Sequence, residues 1–154
     1  MNILFVCSGN TCRSPMAAYL AADMAEKEYP DQGFRFDSAG IATSDGYPAT
    51  DNAVEALREL DIDALAHRSK QFQPYMMELS DVIVCMTAMH KEALCRAFPE
   101  SADKVFLIGE LSGSGADIPD PYMGSLGVYR ITREKLREEN AMNLRKLKQA
   151  ADKG

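Results

Sequence analysis

Apolar positions in the first two thirds of the chain fall into short solid runs separated by spaced stripes. Residues 2–6 form a compact run that reads as a buried strand, and residues 15–29 carry Met16, Leu20 and Met24 at helical spacing with Ala17, Ala21 and Ala25 beside them. Ser14 suits the N-cap of that helix and Pro15 its first turn. The segment 34–40 reads as a second strand ending at Gly40. Residues 49–62 read as a helix capped by Thr50 or Asp51, with Val54, Leu57 and Leu60 as core positions. A third strand is expected over 81–86, a helix over 87–98 and a fourth strand over 104–109. A Gly/Ser/Pro-rich segment, 109–127, leads into one long helix over about 126–151, with Tyr129, Leu136, Leu144 and Leu147 inward and a mixed-charge outer face.

Strand and helix alternating in this order predict a single α/β domain over residues 1–154: a three-layer, doubly wound, four-stranded parallel sheet with helices on both faces. Ligands in such sheets bind beyond the carboxyl ends of the strands. Cys7 stands at such an end, where the first apolar run stops.

Length changes this picture little, since 154 residues suffice for one core. Charge changes it more. A net charge of −6 argues against general nucleic-acid binding. No run approaches the ~20 apolar residues of a membrane span, and the first residues lack the features of a signal peptide. The default expectation is a cytoplasmic protein without membrane or nucleic-acid partners. Cys7, Cys12, Cys85 and Cys95 then read as thiols, and their spacing with only two histidines fits no zinc site. Neither metal nor cofactor is expected.

The candidate chemistry lies in residues 7–14, Cys-Ser-Gly-Asn-Thr-Cys-Arg-Ser. Gly9 permits an unusual backbone conformation and Asn10 tolerates one. A tight loop can turn its N–H groups inward as an anion nest, and the following helix adds its own free N–H groups and positive dipole end. Arg13 offers a planar fork for two phosphate oxygens. This positive potential favours the ionised Cys7 sulfur. A thiolate within a phosphate cradle points to phosphoryl transfer onto sulfur. Glycine-lysine-serine/threonine is missing, so the loop is no nucleotide P-loop. A lone cysteine after a strand would read as core, but here Cys7, Gly9, Asn10, Arg13, Ser14 and Pro15 agree.

These residues resemble the low-molecular-weight protein-tyrosine-phosphatase family: a cysteine, five residues, an arginine, then serine, near the N-terminus. Asp120-Pro121-Tyr122 before the last helix, Ser38-Ala39-Gly40 and His67 to Phe72 sit where that family has matching segments, so the resemblance spans essentially the whole chain. It implies Cys7 as nucleophile and phosphocysteine carrier, with Arg13 and the loop residues Ser8, Gly9, Asn10, Thr11 and Cys12 holding phosphate. Ser14 would hydrogen-bond the sulfur. Asp120 would protonate the leaving group and then activate water. Asn10 would hold the loop through a network with Ser38 and His67. Chemistry supports the same acid, since the leaving atom needs a proton and Asp120 sits in a loop. His90, on a charged helix, reads as exposed.

The family's tyrosine-directed members carry an aliphatic residue where Thr11 stands and often two adjacent aromatics after Asp-Pro. Thr11 and the segment Asp120-Pro121-Tyr122-Met123-Gly124-Ser125 look more like its bacterial phosphoarginine branch. A phenyl ring gains from apolar walls, whereas guanidinium N–H groups need an acceptor such as the Thr11 hydroxyl. A Thr11 that merely caps a loop N–H is the plainer alternative. Phosphorylated proteins are thus the expected partners, phosphoarginine ahead of phosphotyrosine, with the enzyme acting as a monomer. Two rivals are a thioredoxin-coupled arsenate reductase using Cys85 and Cys95, and a non-catalytic phosphate-binding module. Cys12 is either a partner for a protective disulfide with Cys7 or a residue packed under the loop.

Overall fold

A computed structural model describes residues Met1–Gly154. The first apolar run is strand β1 (Asn2–Cys7), followed by helix α1 (Arg13–Glu28), strand β2 (Arg35–Gly40) and helix α2 (Asp51–Arg58). Helix α3 (Pro74–Leu79), strand β3 (Val82–Cys85) and helix α4 (Ala88–Ala97) come next. A 3₁₀ turn (Pro99–Lys104), strand β4 (Val105–Leu107), the short helix α5 (Ile108–Ser112) and the long helix α6 (Leu126–Lys153) complete the chain. Helix α3, the 3₁₀ turn and α5 were not expected, because five or six residues are too few to display a helical period. Helix α2 is also shorter than its apolar pattern suggests. It closes at Arg58 into a turn in which Asp61 takes a left-handed φ of 61° and the Ile62 N–H returns to the Leu57 carbonyl at 3.1 Å.

The four strands form one parallel sheet in the order β2-β1-β3-β4. In β1, Ile3, Phe5 and Cys7 face one side of the sheet and Leu4 and Val6 the other, and all five are buried. The first side packs against α1, α2 and α6 through Met16, Leu20, Leu57, Tyr129, Leu136, Leu144 and Leu147. The second packs against Met76 and Met77 of α3 and Leu94 of α4. Burying each such side chain contributes roughly 1.5–3 kcal/mol. Both faces of the sheet are therefore covered, as the doubly wound reading requires.

Strand order also fixes the site. The chain leaves β1 toward β2 on one side and later reaches β3 on the other, so the carboxyl end of β1 is a topological switch point. Cys7 pairs there with Gly40, and the chain beyond it is free to curl away from the sheet. No helix is long and apolar enough to cross a membrane.

Candidate active site

Between Cys7 and α1 the chain makes a tight loop whose curvature depends on one residue. Asn10 is fully buried and left-handed at φ 57°, a conformation its short amide side chain tolerates. Its side chain and carbonyl are tied on three sides. The Asn10 Nδ2 donates to Ser14 Oγ at 2.8 Å, its Oδ1 accepts the Lys70 N–H at 3.0 Å, and its carbonyl accepts from His67 Nε2 at 2.7 Å. The expected network thus includes His67 but not Ser38. Ser38 is buried in β2 with its N–H on the Asp37 carboxylate, and the Lys70 backbone takes the place assigned to it. A backbone donor leaves no mark in the sequence, so nothing there points to the Lys70 N–H. Burial pulls the His67 pKa below its ordinary value, although the Asn10 carbonyl opposes that shift. The neutral ring is the Nε2–H donor.

Inside this loop the Cys7 sulfur receives the Asn10 N–H at 3.3 Å and lies 3.0 Å from Ser14 Oγ. Because Ser14 Oγ already accepts from Asn10 Nδ2, its own proton is free to go to the sulfur at 3.0 Å, in preference to the Ala39 carbonyl at 3.5 Å. Helix α1 starts at Arg13 with Cys12 as its cap residue, so Ser14 lies inside the helix rather than capping it. Its hydroxyl faces the thiol, Asn10 and the Ala39 carbonyl instead. The backbone N–H groups of Ser8, Gly9, Thr11 and Cys12 donate to no protein group. Unpaired and gathered between the sulfur and the first turn of α1, they are available to an anion bound beside Cys7.

Arg13 is buried at 5% exposure, yet it has few partners. Its Nη1 donates to the Ile118 carbonyl at 3.0 Å, its Nη2 lies 3.5 Å from Asp120 Oδ2, and its Nε has no partner. A buried guanidinium with a free N–H is costly unless an anion completes it. Asp120 is half exposed, and its Oδ1 accepts the Tyr122 N–H at 3.0 Å. Cys7, Gly9, Asn10, Thr11, Cys12, Arg13, Asp120 and Tyr122 all line one cleft of about 620 Å³. Tyr47 and Asp51 complete its outer wall. Ser8 is half-buried and turned to the α4 side of the loop.

The remaining cysteines are placed differently. The Cys12 sulfur lies 3.3 Å from the Tyr129 hydroxyl and 3.5 Å from Thr50 Oγ1, tying the loop to α6 and α2. Burial, then the Cys12 contact, pushes the Tyr129 hydroxyl up to about 12, so it remains protonated. Cys85 belongs to the opposite sheet face from Cys7, and burial raises its pKa strongly. A thiol relay from Cys7 to Cys85 would have to cross the sheet, which disfavours the arsenate-reductase reading. His90 corrects another expectation: it is fully buried, with Nε2 2.9 Å from Ser8 Oγ. A histidine on an otherwise charged helix gives no sign in sequence that its face turns inward.

Comparison with known proteins agrees with this geometry. The family described as low molecular weight phosphotyrosine protein phosphatase matches residues 2–153. A protein-arginine-phosphatase of Bacillus subtilis (strain 168) is 44% identical over 90% of this chain and 91% of its own. The low molecular weight protein-tyrosine-phosphatase PtpB of Staphylococcus haemolyticus is 34% identical over 88% of this chain and 92% of its own. A solved structure of the YwlE arginine phosphatase, a cysteine-to-serine mutant with a phosphorylated active-site serine, superposes with a TM-score of 0.90. It is 41% identical and covers 96% of each chain. With a thiol-centred anion nest at the switch point and a family match over nearly its full length, the chain belongs to the low molecular weight phosphotyrosine protein phosphatases and is a cysteine-dependent phosphatase.

Proposed function

We propose that the chain hydrolyses phosphoarginine in proteins, with Cys7 as nucleophile. The Cys7 thiolate attacks phosphorus and the P–N bond breaks, while Asp120 delivers a proton to the departing guanidine nitrogen. The loop amides and Arg13 hold the equatorial oxygens, where charge is spread in the transition state. Water, losing a proton to Asp120, then attacks the thiophosphate. The P–S bond breaks, phosphate leaves and the thiolate is restored. Ser14 stabilises the sulfur as nucleophile and as leaving group. Asn10, through His67 and Lys70, keeps the loop curled.

The observation that carries the choice of substrate is the Thr11 hydroxyl. It lines the cleft, accepts no loop N–H and has only a long 3.8 Å contact with the Cys12 sulfur. The plainer role of capping a loop amide therefore has no donor to support it. A free acceptor beside the phosphate suits a guanidinium, which carries N–H groups that a phenyl ring lacks. Greater similarity to a relative named protein-arginine-phosphatase than to one named protein-tyrosine-phosphatase supports the same reading. The same reading takes the substrates to be cytoplasmic and the 17.0 kDa chain to act as a monomer, which light scattering checks.

The test is kcat/KM on matched phosphoarginine and phosphotyrosine peptides, with Cys7→Ser as the inactive control. Wild type should prefer phosphoarginine, and Thr11→Ile should move the preference toward phosphotyrosine. Equal rates on both peptides, or a preference that Thr11→Ile leaves unchanged, would overturn the assignment.

A further inference from the structure

One buried titratable group stands beside the loop without a part in the chemistry above. His90 lies in the first turn of α4, fully buried, 82 positions along the chain from the residue it touches. Its two ring nitrogens have different partners. At Nδ1 the Thr87 backbone N–H donates at 3.2 Å, and the Thr87 hydroxyl lies 3.0 Å away. A backbone amide can only donate, so Nδ1 carries no proton and the ring hydrogen sits on Nε2. Nε2–H therefore donates to Ser8 Oγ at 2.9 Å. Burial, reinforced by the Arg13 guanidinium, pushes the imidazole pKa down to about 4, in keeping with a neutral ring.

A histidine that only capped α4 would need Nδ1 alone. The Thr87 Oγ1–His90 N–H contact at 3.5 Å and the Thr87 N–H on Nδ1 together close that cap and make no use of Nε2. The Nε2–H instead reaches across to the residue directly after Cys7. Ser8 is also held from its other side, where its carbonyl accepts the Ala42 N–H at 3.0 Å. Its own N–H has no protein partner and belongs to the nest. The two anchors together fix the first peptide units of the loop.

We propose that His90, as the neutral Nε2–H tautomer, is a positioning residue: through Ser8 Oγ it sets the entrance of the phosphate loop so that the loop amides converge on one phosphoryl site. It touches neither sulfur nor phosphate, and acts by limiting the freedom of Ser8 and Gly9. This inference rests on the reading of residues 7–14 as the phosphate-binding loop. Loss of the contact leaves the amides present but less well aimed, and misplacement on the scale of an ångström costs up to about a hundredfold in rate.

The test compares wild type, Ser8→Ala, His90→Phe, His90→Gln and the Ser8→Ala/His90→Phe double variant. Readouts are kcat/KM on a phosphopeptide, the inhibition constant of inorganic phosphate, and the thermal midpoint. Ser8→Ala and His90→Phe should each lower kcat/KM by about tenfold and weaken phosphate inhibition in parallel. The double variant should be no worse than the poorer single one, because both remove the same contact. His90→Gln keeps an N–H donor and should recover part of the loss. If His90→Phe fails to fold, Ser8→Ala and His90→Gln still decide the matter. Unchanged phosphate inhibition in Ser8→Ala, or independent effects that multiply in the double variant, would overturn the proposal. A wild type that neither hydrolyses phosphopeptides nor binds phosphate would instead overturn the reading of the loop itself.

Discussion

Gly40 ends β2 beside Cys7, and its missing side chain is a demand of the phosphate loop. A Cβ added there would stand 2.5 Å from the Ser8 carbonyl oxygen, 2.9 Å from Thr43 Cγ2 and 3.1 Å from Asn10 Cβ. Carbon and carbonyl oxygen rarely come closer than about 3.3 Å, so about 0.8 Å must be absorbed at the 2.5 Å contact. Gly40 cannot easily yield, since its N–H is bound to the Lys70 carbonyl at 2.9 Å and its carbonyl to the Phe72 N–H at 2.8 Å. Displacement therefore falls on Ser8 and strains its bond to the Ala42 N–H. Overpacking of this kind costs about 1–3 kcal/mol, and a weakened buried hydrogen bond adds about 1 kcal/mol. Gly40→Ala should thus lose roughly 2–4 kcal/mol, a fall of about 10 °C in Tm for a chain of this size. Because the shift is aimed at the loop, kcat/KM should fall by up to about a hundredfold at temperatures where the protein is still folded. Urea denaturation and steady-state kinetics on the same preparation measure both. A stable Gly40→Ala variant with wild-type kinetics would refute this account of the loop. So would a destabilised one whose residual folded fraction is fully active.

Three other outcomes follow from the same geometry. Gly127, in the first turn of α6, would place a Cβ no nearer than 3.6 Å to Ser125 Oγ, so Gly127→Ala should stabilise by about 0.5 kcal/mol without changing kinetics; a loss of stability in denaturation would count against the packing described. Asp120→Asn should lower kcat on phosphopeptides by about 10²–10⁴, but far less on p-nitrophenyl phosphate, whose leaving group needs little protonation; equal losses on both would exclude Asp120 as the acid. For pH, His90 is held near 4 in the folded protein and titrates near its ordinary 6.5 when unfolded, so the unfolded chain takes up the proton first as pH falls. Stability from this group is complete above about pH 6.5 and is lost on the way down to about 4, with His67 shifted in the same direction. Between pH 7 and pH 5 wild type should lose about 2 kcal/mol more than His90→Phe, as read from denaturation midpoints; parallel pH profiles for the two proteins would refute a neutral buried ring.

Much of the site was legible because it is local. Cys7, Gly9, Asn10, Arg13 and Ser14 lie within eight consecutive residues, so the order of types already encodes an apolar strand end, a turn and an arginine at the start of a helix. Asp120 is singled out by the family resemblance, which places an Asp-Pro in the loop before the last helix, and by the leaving atom's need for a proton. The misplaced residues all depend on long-range packing. Ser38 lies on the right strand, but the donor that reaches Asn10 is the Lys70 backbone. His90 shares a helix with Lys91 and Glu92, and only the docking of α4 over β3 and β4 turns it inward.

By itself, then, the chain's pattern determined the parallel α/β architecture and the thiol loop at the end of its first strand. Those properties rest on solid apolar runs, on a periodicity of 3.6 residues and on contacts within a single turn, which neighbours in sequence decide. Tertiary structure alone decided the strand order that makes β1 a switch point and the Asp120 carboxylate 3.5 Å from Arg13. It also decided the imidazole behind Ser8. Each joins groups separated by tens of residues. Their approach is set by which helix faces pack on which side of the sheet, a quantity that no local pattern of residues carries.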